Sequence, residues 1–134
     1  MSAVTLIRSD DLAPTPGYAY ASSVAPGSRL IHLAGACPLN PDGSIAAAGD
    51  FGGQAAKCVE NLVRALAAAA ASVTDVAYTR VLVASASRDD LGAVWDVVHA
   101  TFAEHEVPST LLGVTVLGYE GQLVEIEAVA AVTA

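Results

Sequence analysis

Residues 108–130 read PSTLLGVTVLGYEGQLVEIEAVA. Two apolar runs within them, Thr110–Leu117 and Leu123–Val132, read as strands joined by GYEG, whose two glycines suit a turn. In the second run the two-residue repeat of an extended chain sets Val124, Ile126 and Ala128 on one face and Glu125 and Glu127 on the other. One face of this strand is built for a core. The other carries two carboxylates, which are costly to bury and are ordinarily solvated.

Upstream of this stretch the apolar pattern changes period. Leu91, Val94, Trp95, Val98 and Phe102 mark one face of a helix, with Asp89 and Asp90 at its positive N-terminal end. Before it, VAYTRVLVAS within Asp75–Ser85 is a buried strand. From Asp50 to about Ala71, Val59, Leu62, Val63 and Leu66 recur at helical spacing among alanines of high helix propensity. Nearer the N-terminus, Val4–Arg8 is a first strand, broken by DDLAPTPG. Tyr18–Val24 and Leu30–Ala34, separated by APGS, suggest an antiparallel hairpin. The order strands, helix, strand, helix, strands is too brief in its alternation for a doubly wound nucleotide fold. It fits an α+β domain spanning residues 1–134, with two helices on one face of one mixed, mainly antiparallel sheet.

Composition sharpens this. Of the 134 residues, 54% are hydrophobic and only 15% charged, and the mean hydropathy is +0.51. So little polar surface leaves the second sheet face short of cover, and self-association is the simplest source of it. No apolar run is long enough to span a membrane; Ala65–Ala71 is bounded by Arg64 and Ser72. MSAVTLIRSDDLAP lacks a basic region followed by an apolar core, so the cytoplasm is the expected compartment. Cys37 and Cys58 are then expected as free thiols. Six basic against fourteen acidic residues give a formal charge of −8, with no two basic residues adjacent. Nucleic-acid affinity draws on clustered cations, so no nucleic-acid partner is expected.

Motifs of several common chemistries are missing. His32, His99 and His105 have no metal-ligand spacing to one another or to a cysteine pair, so no metal is expected. The glycines of LAGACP and DFGG form no phosphate-binding motif, and no serine stands in G-x-S-x-G.

The stretch 108–130 resembles the C-terminal hallmark of the Rid (YjgF/L-PSP) superfamily, roughly P-A-R-[ST]-x-V-x-V-x-x-L-P-x-x-x-x-V-E-I-E-A, without a gap from Pro108 to Val124. PGYAYA, LIHLAGACPLNPDG and QAAKCVENLVRAL resemble its G-P-Y-[SV]-Q-A, I-x-x-S-G-Q-I-P-x-x-P-x-x-G and Q-[AT]-x-Q-x-[LM]-x-N-[IL] segments. The resemblance implies a chorismate-mutase-like fold and a homotrimer around a central barrel. It also implies small-molecule clefts between subunits. In deaminating members, water hydrolyses imine and enamine acids to keto acids and ammonia without metal or organic cofactor. An arginine pairs with the substrate carboxylate and a glutamate places the water.

Carried over residue by residue, Tyr18 falls at the cleft tyrosine, Ala34 at the strand serine and Glu125 at the water-organising glutamate. Glu125 and Tyr18 are the catalytic candidates. Thr110, Leu112, Trp95 and Ala34 are the substrate-binding ones. Trp95 falls where many members have asparagine, and Leu112 where some have cysteine. The decisive departure is Thr110 at the arginine position, since a hydroxyl neither neutralises a carboxylate nor offers it a planar fork. Arg29 and Arg80 are the cations that could replace it from a neighbouring strand or subunit. The implied function is imine or enamine hydrolysis with altered substrate or reduced activity. The alternative is a non-catalytic trimer binding a small molecule or a partner. RNA cleavage, suggested by an old family name, is opposed by the charge.

Overall fold

A computed structural model of the chain describes residues 2–134. The strands are β1 (Val4–Ile7), β2 (Ala21–Val24), β3 (Arg29–His32), β4 (Val76–Val83), β5 (Ser109–Gly113) and β6 (Val124–Val132); the helices are α1 (Phe51–Ala68) and α2 (Arg88–Phe102). The architecture is α+β with a mixed sheet, as expected. In place of one continuous sheet there are a four-stranded sheet, ordered β3-β6-β4-β5, and a two-stranded ribbon, β1-β2. The ribbon is tied to the sheet where the Ser22 hydroxyl donates to the Ala77 carbonyl (2.6 Å).

β6 is interior, antiparallel to β3 on one side and to β4 on the other. β4 and β5 are parallel, which requires a crossover connection, and α2 supplies it. Val124, Ile126, Ala128 and Ala130 of β6 are buried with Val81 and Val83 of β4 under the helices. α1 starts at Asp50, whose side chain accepts from the Gly53 amide (3.0 Å). It buries Gln54, Ala55, Cys58, Val59, Leu62 and Leu66. Val63, expected on that face, is 43% exposed, because the stripe is centred on Ala55, Cys58 and Leu62. α2 buries Val94, Val98 and Phe102, while Leu91 and Trp95 sit half-buried at the edge of the core.

Two local readings are corrected. The APGS turn forms, with Gly27 at positive φ, but it does not join a hairpin: β2 pairs with β1, and β3 with β6. GYEG also turns, with Gly121 at positive φ, yet β5 and β6 flank β4 rather than pairing with each other. The chain must cross the sheet end between them, so residues 114–117 leave the strand and Val116 is 76% exposed. Two buried amides hold this crossing. Gln54 donates to the Gly121 carbonyl (3.0 Å) and accepts from the Leu123 amide (2.8 Å). Gln122 accepts from the Tyr119 amide (3.1 Å) and donates to the Val124 carbonyl (3.1 Å).

The sheet face opposite the helices is open in the protomer. Cross-strand partners share a face, so Leu30, His32, Tyr78, Arg80, Leu82, Thr110, Leu112, Glu125, Glu127 and Val129 occupy it together, with Ala131 at its end covered. Among the described residues no helix is long and apolar enough to cross a membrane.

Ile126→Ala removes a fully buried side chain from the core, and is expected to lower stability by about 2–5 kcal/mol in urea denaturation. Val63→Ala, on the exposed side of α1, is expected to change it by roughly 0.5 kcal/mol or less.

Candidate functional site

The segment before β2 crosses over α2 and carries Tyr18. Its path is set by the Trp95 indole, which donates to the Pro16 carbonyl (3.0 Å), and by the Ala19 amide, which donates to the Glu106 carbonyl (2.7 Å). Gly17 stands at φ +101°, and a Cβ there would collide with the His99 ring. The His99 ring stacks on Trp95 with centroids 6.0 Å apart, and Trp95 meets Tyr18 edge-to-face at 6.2 Å. His99 also faces Glu106 (3.5 Å), which is paired with Arg8 (2.8 Å). The aromatic wall is thus fixed from behind.

In front of it lies a cleft of about 380 Å³ lined by Pro16, Tyr18, Trp95, Ser109, Thr110 and Leu111. The lining includes no lysine or arginine. Thr110 Oγ1 accepts from the Tyr78 hydroxyl (2.9 Å) and keeps its own proton to donate. The Tyr18 and Trp95 rings give the cleft apolar bulk with one phenolic hydroxyl. The structure therefore brings together Tyr18, Trp95 and Thr110.

It does not bring Ala34 and Glu125 to that cleft within one protomer. Glu125 projects on the open face two strands from β5, about 10 Å across the sheet. Its Oε1 accepts from the Gln122 amide (3.1 Å) and from the Cys37 thiol (3.2 Å). Ala34 lines a separate hollow of about 280 Å³ with Gly35, Cys37, Leu39, Asn61 and Tyr119 among its walls. Leu112 lies on the open face between the two groups, opposite Leu82, which in turn stands opposite Glu125. The six candidates thus form two clusters with Leu112 between them.

The two arginines are placed differently. Arg29 donates to the Ala69 carbonyl at the end of α1 (3.2 Å). Arg80 stands directly opposite Thr110 in the β4–β5 register, but its guanidinium is paired with Glu127 (3.2 Å), whose hydrogen bond and charge raise its pKa. Burial, then the hydrogen bond and charge of Glu125, push the Cys37 thiol up to about 11. Burial likewise raises Cys58. Both are free thiols, and neither has the lowered pKa of a nucleophile. His105 bonds the Val76 carbonyl (2.7 Å). Among the described residues no group of three or more histidine, cysteine, aspartate or glutamate side chains is arranged to hold a metal ion.

Three contributors escaped sequence reasoning: Gln122 and Cys37 on Glu125, and His99 behind Trp95. The first carried a usable signal, since Gln122 lies three residues before Glu125 at a turn. So did His99, four residues after Trp95 on one helix face; Cys37 depends on contact with a segment 88 residues away.

The fold and this arrangement define a class of cleft-bearing α+β domain with its catalytic candidates divided between sheet edge and sheet face. The family model described as Endoribonuclease L-PSP matches residues 11–132, and the chain belongs to that family, within the Rid/YjgF superfamily. Among solved structures it is similar to YyfB of Yersinia pestis, described as a protein of unknown function of the conserved Rid protein family. The identity is 26%, with 97% of this chain and 99% of that one covered and a TM-score of 0.91. It is also similar to a member of the YjgF/YER057c/UK114 family from Mycobacterium tuberculosis (28% identity, 96% and 99% covered, TM-score 0.64). A putative endoribonuclease from Thermotoga maritima shares the fold (24% identity, 97% and 98% covered, TM-score 0.71). Among curated proteins none matches the chain.

Gly17→Ala forces a side chain into positive φ and into the His99 ring, and is expected to cost more than about 1 kcal/mol. Because His99 must swing away to relieve the clash, the emission of Trp95, the chain's one tryptophan, should shift in the folded variant. An unchanged spectrum would show that His99 does not support the cleft wall.

Proposed function

We propose that the protein is a Rid-type hydrolase of imines or enamines whose substrate is neutral at the position where deaminating relatives bind a carboxylate. The observation that carries this is the cleft itself, where hydroxyls of Tyr18 and Thr110 are set among aromatic and apolar side chains and no cation lines the wall. Neutral donors suit a carbonyl or amide oxygen. A carboxylate there would lack the charge-assisted bonds worth about 1.5–3 kcal/mol, or roughly ten- to a hundredfold in affinity.

Turnover needs a water placed against the C=N carbon of the protonated imine. Glu125 is the group for this: it accepts a proton as water adds and returns it to the amino nitrogen of the carbinolamine, which expels ammonia as the hydroxyl loses its proton to solvent and leaves a carbonyl. Since Glu125 stands about 10 Å across the sheet from the cleft strand, the working site joins Tyr18, Trp95, Thr110 and Leu112 of one protomer to Ala34 and Glu125 of another. A homotrimer closing its open sheet faces around an axis supplies that junction. Leu30 (52% exposed) and Tyr78 (40%) on this face favour such cover.

The absence of a cation from the lining also favours a second reading, binding without turnover in the same intersubunit cleft. RNA cleavage is disfavoured: the net charge is −8, and Arg8, Lys57, Arg64 and Arg80 are already paired with carboxylates.

Light scattering should give about three times the chain mass of 13.5 kDa, and a monodisperse monomer would remove the two-protomer site. Thr110→Arg should raise affinity for pyruvate roughly ten- to a hundredfold by calorimetry, with a gain that weakens as salt rises. If the folded variant binds pyruvate no better than wild type, Thr110 does not face the substrate. Ammonia release from a neutral imine that Glu125→Ala abolishes supports hydrolysis; release that survives Glu125→Ala excludes Glu125 as its catalyst.

A further inference from the structure

Glu125 leaves β6 on a long, flexible stem, and an unrestrained glutamate would spread over several rotamers. Three neighbours restrict it. Gly35 lies beneath the carboxylate, and a Cβ there would come within 2.5 Å of Oε2 and 2.6 Å of Cδ. Gly35 has no positive φ to explain it, so its missing side chain is spatial in purpose: it lets the carboxylate lie flat on the backbone. Gln122 and Cys37 then donate to the same oxygen, Oε1, at 3.1 and 3.2 Å, the Gly35 carbonyl being the more distant acceptor for the one thiol proton at 3.5 Å. Gln122 is itself fixed by the Tyr119 amide and the Val124 carbonyl. Cys37 is held by the Asn61 amide, which donates to the carbonyls of Cys37 (2.9 Å) and Leu39 (3.0 Å). Among the described residues no hydrogen-bond donor reaches Oε2.

We infer that Cys37 is a positioning residue for Glu125, its thiol holding Oε1 so that Oε2 remains free to take the reacting water. This rests on the reading of Glu125 as the water-placing group. A thiol suits the task because it is small enough for the space beside Gly35. Its proton stays in place at neutral pH, since burial and the adjacent carboxylate both oppose the thiolate. It is a donor to the site and not a nucleophile within it.

The S–H stretch, which absorbs where proteins are otherwise transparent, reports the bond directly at neutral pH. Two bands are expected, one lost in Cys37→Ser. The Cys37 band should lie at the lower frequency of a thiol bound to an anion, and should rise in Glu125→Gln and further in Glu125→Ala. A band that ignores Glu125→Ala overturns the contact. Positioning is read from ¹³C relaxation of the Glu125 side chain: Cys37→Ala should mobilise it, and Cys37→Ser, which keeps a donor, should restore order. Equal order in wild type and Cys37→Ala overturns the role even if the bond exists. With a neutral imine as substrate, Cys37→Ala should lower kcat by roughly 10- to 100-fold at unchanged KM, with rescue by serine. If Glu125→Ala leaves hydrolysis intact, the reading of Glu125 as the water-placing group fails, while the spectroscopic results still decide whether Cys37 orders Glu125.

Discussion

Strand β6 is hydrogen-bonded along both edges, to β3 and to β4, and it divides the protein into a packed side and an open side. Alternation along nine residues does both jobs at once. Val124, Ile126, Ala128 and Ala130 enter the core beneath the helices, with α1 packed directly on this strand, while Glu125 and Glu127 are delivered to the other face. A slip of one residue would bury two carboxylates and expose four core side chains, so the register is strongly specified. Everything functional inherits that register: Thr110 lies opposite Arg80, Arg80 opposite Glu127, and Leu82 opposite Glu125.

The positions of charge on the open face follow from this lattice. Arg80 stands between Thr110 and Glu127 and is drawn to the carboxylate, since a hydroxyl offers no opposing charge. The cleft beside Thr110 consequently has neutral donors. Glu125, one pair further along, has Leu82 as its cross-strand neighbour and finds its partners in Gln122 and Cys37 instead. Two carboxylates two residues apart thus receive different environments, one beside a cation and one held by neutral donors.

Local periodicity revealed the elements more fully than their pairing. The helical stripe through Val59, Leu62 and Leu66 and the alternation in Val124–Ala128 depend on neighbours a few residues away, so they are visible in the chain. Pairing is a competition among distant partners. The turn at Gly27 is real, but β3 gains more by joining the interior strand β6 than by folding back on β2. The turn at Gly121 is real too, yet α2 has already set β5 parallel to β4, which leaves the other edge of β4 for β6. For the candidate site, the resemblance identified residues whose grouping needed the fold. Tyr18, Trp95 and Thr110 meet because the Pro16 carbonyl accepts from an indole 79 residues away. Cys37 read only as a free thiol, because nothing near it in sequence announces a carboxylate 88 residues downstream.

Interior strand β6 follows every other element of the sheet in chain order, after both helices. Arg29 on β3 finds its partner in Val132, and β4 finds one flank in the same strand. Until that segment emerges, β3 has no partner and β4 lacks one, while α1 and α2 have no completed floor on which to lay Leu62, Leu66 and Val98. The sheet therefore cannot close until β6 has been made, and long-range closure of this kind is slow compared with local helix packing. Throughout that interval a nascent chain with 54% hydrophobic residues displays unpaired apolar strand edges. Its biogenesis is the stage at which it is most exposed to misassociation.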